Sequence, residues 1–179
     1  MRIYFLNFLA VITILPVSLA FGYGKKPSDH KIMANLKEHY QDFIEILEEN
    51  EVAIPSENLD GFRGFMLYSN DSELYEEVNR DDFKSVSARE SAGLCVKKFD
   101  EQGLSSRVYI NKRFIRSKTG LKNYLRTLVY HELLHCLLNA GHSEIPESIM
   151  APAYNHSRFR YRPAAVEALV DELIRMYEI

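Results

Sequence analysis

Within HELLHCLLNAGHSEIPESIMAP, residues 131 to 152, three histidines and a glutamate occupy twelve positions of a leucine-rich run. Imidazole and carboxylate groups lose free energy when taken out of water unless something binds them. A run this apolar therefore implies a bound partner for His131, Glu132, His135 and His142. On a helix, residues four apart share a face with Cβ atoms about 6 Å apart, so His131 and His135 can converge on one cation. Zinc in a catalytic site takes three protein ligands and leaves a fourth position for water. Glu132, next to the first histidine, can direct its carboxylate at that water, take its proton and later pass it to a leaving amine.

The third ligand must come from beyond the helix. Asn139 and Gly141 are the residue types best able to adopt a left-handed backbone and end a helix, so the chain is expected to turn sharply after Leu138 and bring His142 back to the cation. Other readings stay open. Glu167 or Glu172 can serve as third ligand with His142 on the surface, His156 stands in reserve, and core histidines can be satisfied by ordinary hydrogen bonds.

The same run resembles the zinc-binding stretch of the metzincin metallopeptidases, and of the matrixins in particular, whose pattern His-Glu-x-x-His-x-x-Gly-x-x-His leads to a methionine-containing turn. The resemblance covers about twenty-four residues. It implies His131, His135 and His142 as ligands of one Zn2+, Glu132 as general base and Met150 as the floor under the metal. Pro152 and Tyr154 would wall the substrate pocket. It further implies an α+β, zincin-like single domain with a small mixed β-sheet, a buried active-site helix and a C-terminal helix after the Met turn. The activity implied is peptide-bond hydrolysis. Two departures stand out: Leu138 occupies the position of the matrixin glycine, and one extra residue precedes His142. We read them together as a one-residue insertion in the turn.

The elements that must position this site can be read from periodicity. Ser28 or Asp29 can cap a helix whose apolar residues Ile32, Leu36, Tyr40, Phe43, Ile44 and Leu47 recur every three or four positions as far as Asn50. Pro55 and the ENLDG stretch after it would end that helix. GFRGFMLYS, GLCVKKF and SRVYINKRFI read as strands, the last two joined by a DEQG turn into a hairpin. Val108 and Ile110, and more loosely Phe114 and Ile115, give the last strand its alternation. SELYEEV, in the charged stretch between the first two strands, reads as a helical turn. Ser117 or Thr119 can cap a helix from Leu121 to Leu138 that is apolar almost all round, and hence buried. Pro163 opens a final helix with Val166, Leu169, Val170, Leu173, Ile174 and Tyr177 on its apolar face. An extended peptide substrate would lie along an exposed strand edge, though which strand is not evident from the sequence.

The chain has 179 residues and a formal net charge of −3, which suits one globular domain and argues against a broad basic footprint for nucleic acid or anionic membrane. RFRYR (158 to 162) and NKRFIRSK (111 to 118) read as solvated connectors. Arg2, the apolar run Ile3 to Leu19 and the small-residue exit Ser18-Leu19-Ala20 read as a signal peptide spanning residues 1–20, with residues 21–179 forming the domain and no stable membrane insertion after cleavage. A retained anchor is the alternative. The expected location is extracytoplasmic, where Cys95 and Cys136 can pair; two buried thiols remain the other reading. A non-catalytic, secreted binding module on the same scaffold is the rival function, although an intact Glu132 argues against it.

Overall fold

The computed structural model describes residues 27–69, 92–101, 103–115, 120–145, 148–151 and 165–177. The expected signal segment, the SELYEEV turn, the caps Ser117 and Thr119, and Pro152, Tyr154, His156, RFRYR and Pro163 all lie outside these residues. The described chain is a mixed α+β arrangement of four helices and a three-stranded mixed sheet.

Helix α1 (Asp29–Glu49) starts at Ser28, whose hydroxyl accepts the Lys31 backbone N–H at 3.3 Å. This satisfies one of the donors that a helix start leaves orphaned. Its buried face is Ile32, Leu36, His39, Phe43, Ile46 and Leu47. The face thus runs slightly off the expected one: Tyr40 and Ile44 are half-buried, while His39 is enclosed. Burial holds the His39 imidazole below its ordinary pKa, so the ring is buried neutral.

After α1 the chain does not pass directly into sheet. The stretch following Pro55 forms a short helix, α2 (Ser56–Gly61), where a simple terminator was expected. A tertiary contact accounts for it: buried Asn58 donates its side-chain amide to the Leu137 carbonyl at 2.8 Å. That carbonyl is one of those a helix end leaves without an internal partner.

The strands are β1 (Phe62–Tyr68), β2 (Gly93–Asp100) and β3 (Gly103–Asn111), in spatial order β1-β3-β2. β1 runs parallel to β3, and β2 pairs antiparallel with β3 as the expected hairpin. Among the described strands, β2 is therefore an edge. β3 stops at Asn111, short of the alternation extended to Phe114 and Ile115. The Asn111 side-chain oxygen accepts the Arg113 N–H at 3.0 Å and its carbonyl accepts the Phe114 N–H at 3.1 Å, turning the chain out of the sheet. Ile115 is nonetheless buried, which explains why its apolar character mimicked strand.

Helix α3 (Gly120–Leu138) is packed between α1 and the sheet. Leu125, Val129, Tyr130, Leu133, Leu134 and Leu137 are fully enclosed with Val108 and Ile110 of β3 and the apolar face of α1. Phe43 meets Tyr130 at a ring-centroid distance of 5.6 Å, and Arg126 pairs with Asp42 at 2.8 Å. Helix α4 (Ala165–Tyr177) closes this core through Leu169 and Leu173. No helix among the described residues is long and apolar enough to cross a membrane.

Candidate metal centre

The last two turns of α3 carry His131, Glu132 and His135, and the helix then ends as the sequence required. Asn139 takes the left-handed conformation at φ 56°, and the Ala140 N–H folds back onto the Leu134 carbonyl at 3.1 Å. Asn139 alone supplies the unusual backbone angle. Gly141, expected to share the task, does not adopt a positive φ, because one left-handed residue is enough to reverse the chain.

This turn delivers His142. The Nε2 atom of His135 lies 3.2 Å from Nε2 of His131 and 3.2 Å from Nε2 of His142. Ligand nitrogens about 2.0–2.1 Å from a tetrahedral zinc stand about 3.3 Å from one another, so the spacing suits a cation of that size. His131, His135 and His142 form the one group of three candidate ligands found among the described residues; the metal's identity is not fixed by this geometry.

The hydrogen bonds behind the rings leave the group suited to a cation. Nδ1 of His131 is 2.7 Å from the Ile149 carbonyl, and Nδ1 of His135 is 2.6 Å from the Ala140 carbonyl. A carbonyl oxygen only accepts, so both rings carry their proton on Nδ1 and turn a bare lone pair inward at Nε2. Two lone pairs facing each other at 3.2 Å repel unless a positive charge sits between them. Burial together with the neighbouring rings drives the His131 pKa down to about 3, and burial lowers that of His135. Both are then neutral at physiological pH, the form that binds metal.

Glu132 is 4% exposed and points to strand β2, where its carboxylate accepts the Cys95 backbone N–H. Burial pushes its pKa up to about 8, against the smaller opposing effect of that hydrogen bond. Its space is made by Gly93: a Cβ there would stand 2.7 Å from Oε1 and 2.8 Å from Cγ of Glu132. Two residues along β2, Cys95 is disulfide-bonded to Cys136, with Cα atoms 5.6 Å apart. The two thiols are therefore paired, which resolves the alternatives the sequence left open. The bond clamps the strand to the helix next to His135.

The segment after His142 holds one ring, that of His131, through the Ile149 carbonyl, and is itself braced by hydrogen bonds. Met150 is buried, its carbonyl accepts the Ser143 N–H at 2.9 Å, and its own N–H goes to the Ser148 hydroxyl at 2.9 Å. Ser148 in turn donates to Glu172 of α4 at 2.5 Å. Glu172, an alternative third ligand on sequence grounds, thus faces this turn, and neither it nor Glu167 joins the histidine group. Pro152 and Tyr154, the expected pocket wall, fall outside the described residues.

Sequence reasoning missed Asn58, Gly93, Ser148 and the supporting role of Glu172. Of these only Gly93 left a local signal, because a lone glycine within a strand marks a close backbone approach. In comparisons with known proteins, no family model matches the chain, and neither a curated protein nor a solved structure matches it.

Proposed function

We propose that this chain is a zinc-dependent endopeptidase of zincin-like, matrixin-related design that works outside the cytoplasm. The observation that carries the proposal is the convergence of three imidazole Nε2 atoms, two of them from the helix that also carries the buried carboxyl of Glu132, which has no part in the ligand group. A purely structural zinc site closes all four positions with protein ligands, whereas a catalytic site presents three. Bound zinc would supply Lewis acidity toward a scissile carbonyl and make a nearby water easier to deprotonate.

The protein's own groups take the remaining tasks. His131, His135 and His142 orient the site, the first two with their tautomers fixed by backbone carbonyls. Glu132 is the proton carrier. Its buried carboxyl binds a proton readily, and the positive charge of an ion in the histidine group would favour its release. Such a group can take a proton from water and return it to the departing amine.

Strand β2 is the expected seat of the substrate. In its ladder with β3, the Asn111 N–H bonds the Ala92 carbonyl, so by antiparallel alternation Gly93, Cys95, Lys97 and Phe99 direct their backbone groups to the outer edge. The Cys95 N–H reaching Glu132 fits this alternation. A peptide adding along this edge would run past the proton carrier. The Cys95–Cys136 bond favours an oxidising compartment and so the extracytoplasmic location.

Digestion of casein and a mixed peptide library by zinc-loaded protein tests the proposal. Cleavage by wild type, and a loss of roughly a hundredfold or more in Glu132→Gln with zinc retained, is expected. Absence of cleavage by a fully loaded wild type would leave a binding module as the better account.

A further inference from the structure

Strand β2 meets helix α3 in regular steps: Gly93 lies against Glu132, Cys95 is bonded to Cys136, and Lys97 donates from its ammonium to Oδ1 of Asn139. Two residues of strand advance about 6.7 Å, close to the roughly 6 Å of four residues of helix, so strand and helix keep step until the helix ends. Lys97 is the last residue of this face with a partner on α3 or its terminus. The next, Phe99, reaches beyond the helix and is 85% exposed.

Lys97 is half-buried, and its charge is felt at His135. An ammonium has three donors, and the Asn139 oxygen is a neutral acceptor that uses one of them. Among the described residues no carboxylate pairs with Lys97. A partly desolvated cation without a counter-ion, beside a histidine group and on the strand edge where a peptide would add, is well placed to receive an acidic group.

We propose that Lys97 is a specificity-determining residue which selects peptides carrying an aspartate or glutamate opposite it on the added strand. The inference rests on the peptidase reading and on β2 as the substrate edge. On an antiparallel pair, directly opposed side chains stand about 4.5–5.5 Å apart at Cβ, within reach for an ion pair. Asn139 holds the lysine head in place, so less side-chain freedom is lost when the carboxylate arrives.

The test uses a set of fluorogenic peptides in which each position on either side of one cleaved bond carries glutamate or, in a matched partner, glutamine. For zinc-loaded wild type, one position is expected to show a Glu-over-Gln ratio in kcat/KM of about fivefold. Lys97→Gln, which keeps a donor for Asn139, should bring the ratio to about one, Lys97→Glu should invert it, and Lys97→Arg should keep it. A ratio taken within one protein is independent of how much of a variant is folded. Should Lys97 only secure the helix end, the variants would lose thermal stability and leave the ratio unchanged, which overturns the proposal. Cleavage by wild type with no position favouring glutamate also overturns it while sparing the peptidase reading. No cleavage at all removes both.

Discussion

Glu172 of the last helix accepts the Ser148 hydroxyl at 2.5 Å, and through that serine it fixes the turn whose Ile149 carbonyl holds Nδ1 of His131 at 2.7 Å. The same turn holds the segment after His142 through the Ser143–Met150 backbone bond. A residue forty-one positions beyond His131 thus braces the turn that holds the His131 ring and the backbone next to His142. Partners of this kind typically account for about ten- to a hundredfold in metal affinity. Glu172→Ala and Ser148→Ala are expected to weaken zinc binding by that order, with Glu172→Gln falling less because it can still accept from Ser148. Competition against a chromogenic chelator measures this, and unchanged affinity in Glu172→Ala would show that the turn holds its shape unaided.

Gly93→Ala should separate catalysis from metal binding. Its new methyl would meet Oε1 and Cγ of Glu132 and, at 2.9 Å, the Leu128 side chain. Overpacking of this kind costs roughly 1–3 kcal/mol, and the two closest contacts of the new methyl fall on the Glu132 side chain. A fall of about tenfold or more in kcat with zinc content intact is expected, since a small displacement of a proton carrier is costly. Equal kcat in the two proteins would mean that Glu132 does not work from this position.

Removing the Cys95–Cys136 bond should lower stability by about 4 kcal/mol on a loop-entropy estimate, given a sequence separation of 41. Chemical denaturation of Cys95→Ala/Cys136→Ala against wild type checks it. A difference below about 1 kcal/mol would indicate that packing of Gly93 on Glu132 already holds strand and helix together.

The zinc-free chain should have an unusual pH profile. Glu132 binds protons more tightly folded, at about 8, than at its ordinary 4.5, so its contribution to stability is lost as pH rises through that window. His131 has the opposite sign: with its pKa lowered from 6.5 to about 3, it loses stability as pH falls through that range. Between 4.5 and 6.5 Glu132 is opposed by His131 and by His135 and His39, whose pKa values burial also lowers, leaving Glu132 to act above. The metal-free protein is therefore expected to lose about 1 kcal/mol of stability for each pH unit from 6.5 to 8. Denaturation midpoints across that range should show the slope in wild type and its absence in Glu132→Gln. An equal slope in both would place the titration elsewhere.

What the sequence could reveal follows from how local each feature is. His131 and His135 stand four apart on one helix, where spacing alone dictates a shared face, and the left-handed Asn139 was readable because so few residue types tolerate that conformation. The hairpin of β2 and β3 was readable for the same reason. Asn58 on Leu137 and Glu172 on Ser148 join residues 79 and 24 positions apart, and neither pair forms a pattern in the chain. Pairing of Cys95 with Cys136 depends on a Cα approach that only the packing of β2 on α3 creates. Ile115 misled because burial, and not strand pairing, explains its apolar side chain.

The account stands on three imidazole nitrogens sharing one ion. Elemental analysis after metal stripping, zinc reloading and dialysis tests it most directly. About one zinc per wild-type chain is predicted, none retained by His131→Ala or His135→Ala, and a weakened site in His142→Ala. A correctly folded wild type that retains no zinc, or retains as much once all three histidines are alanine, would contradict it.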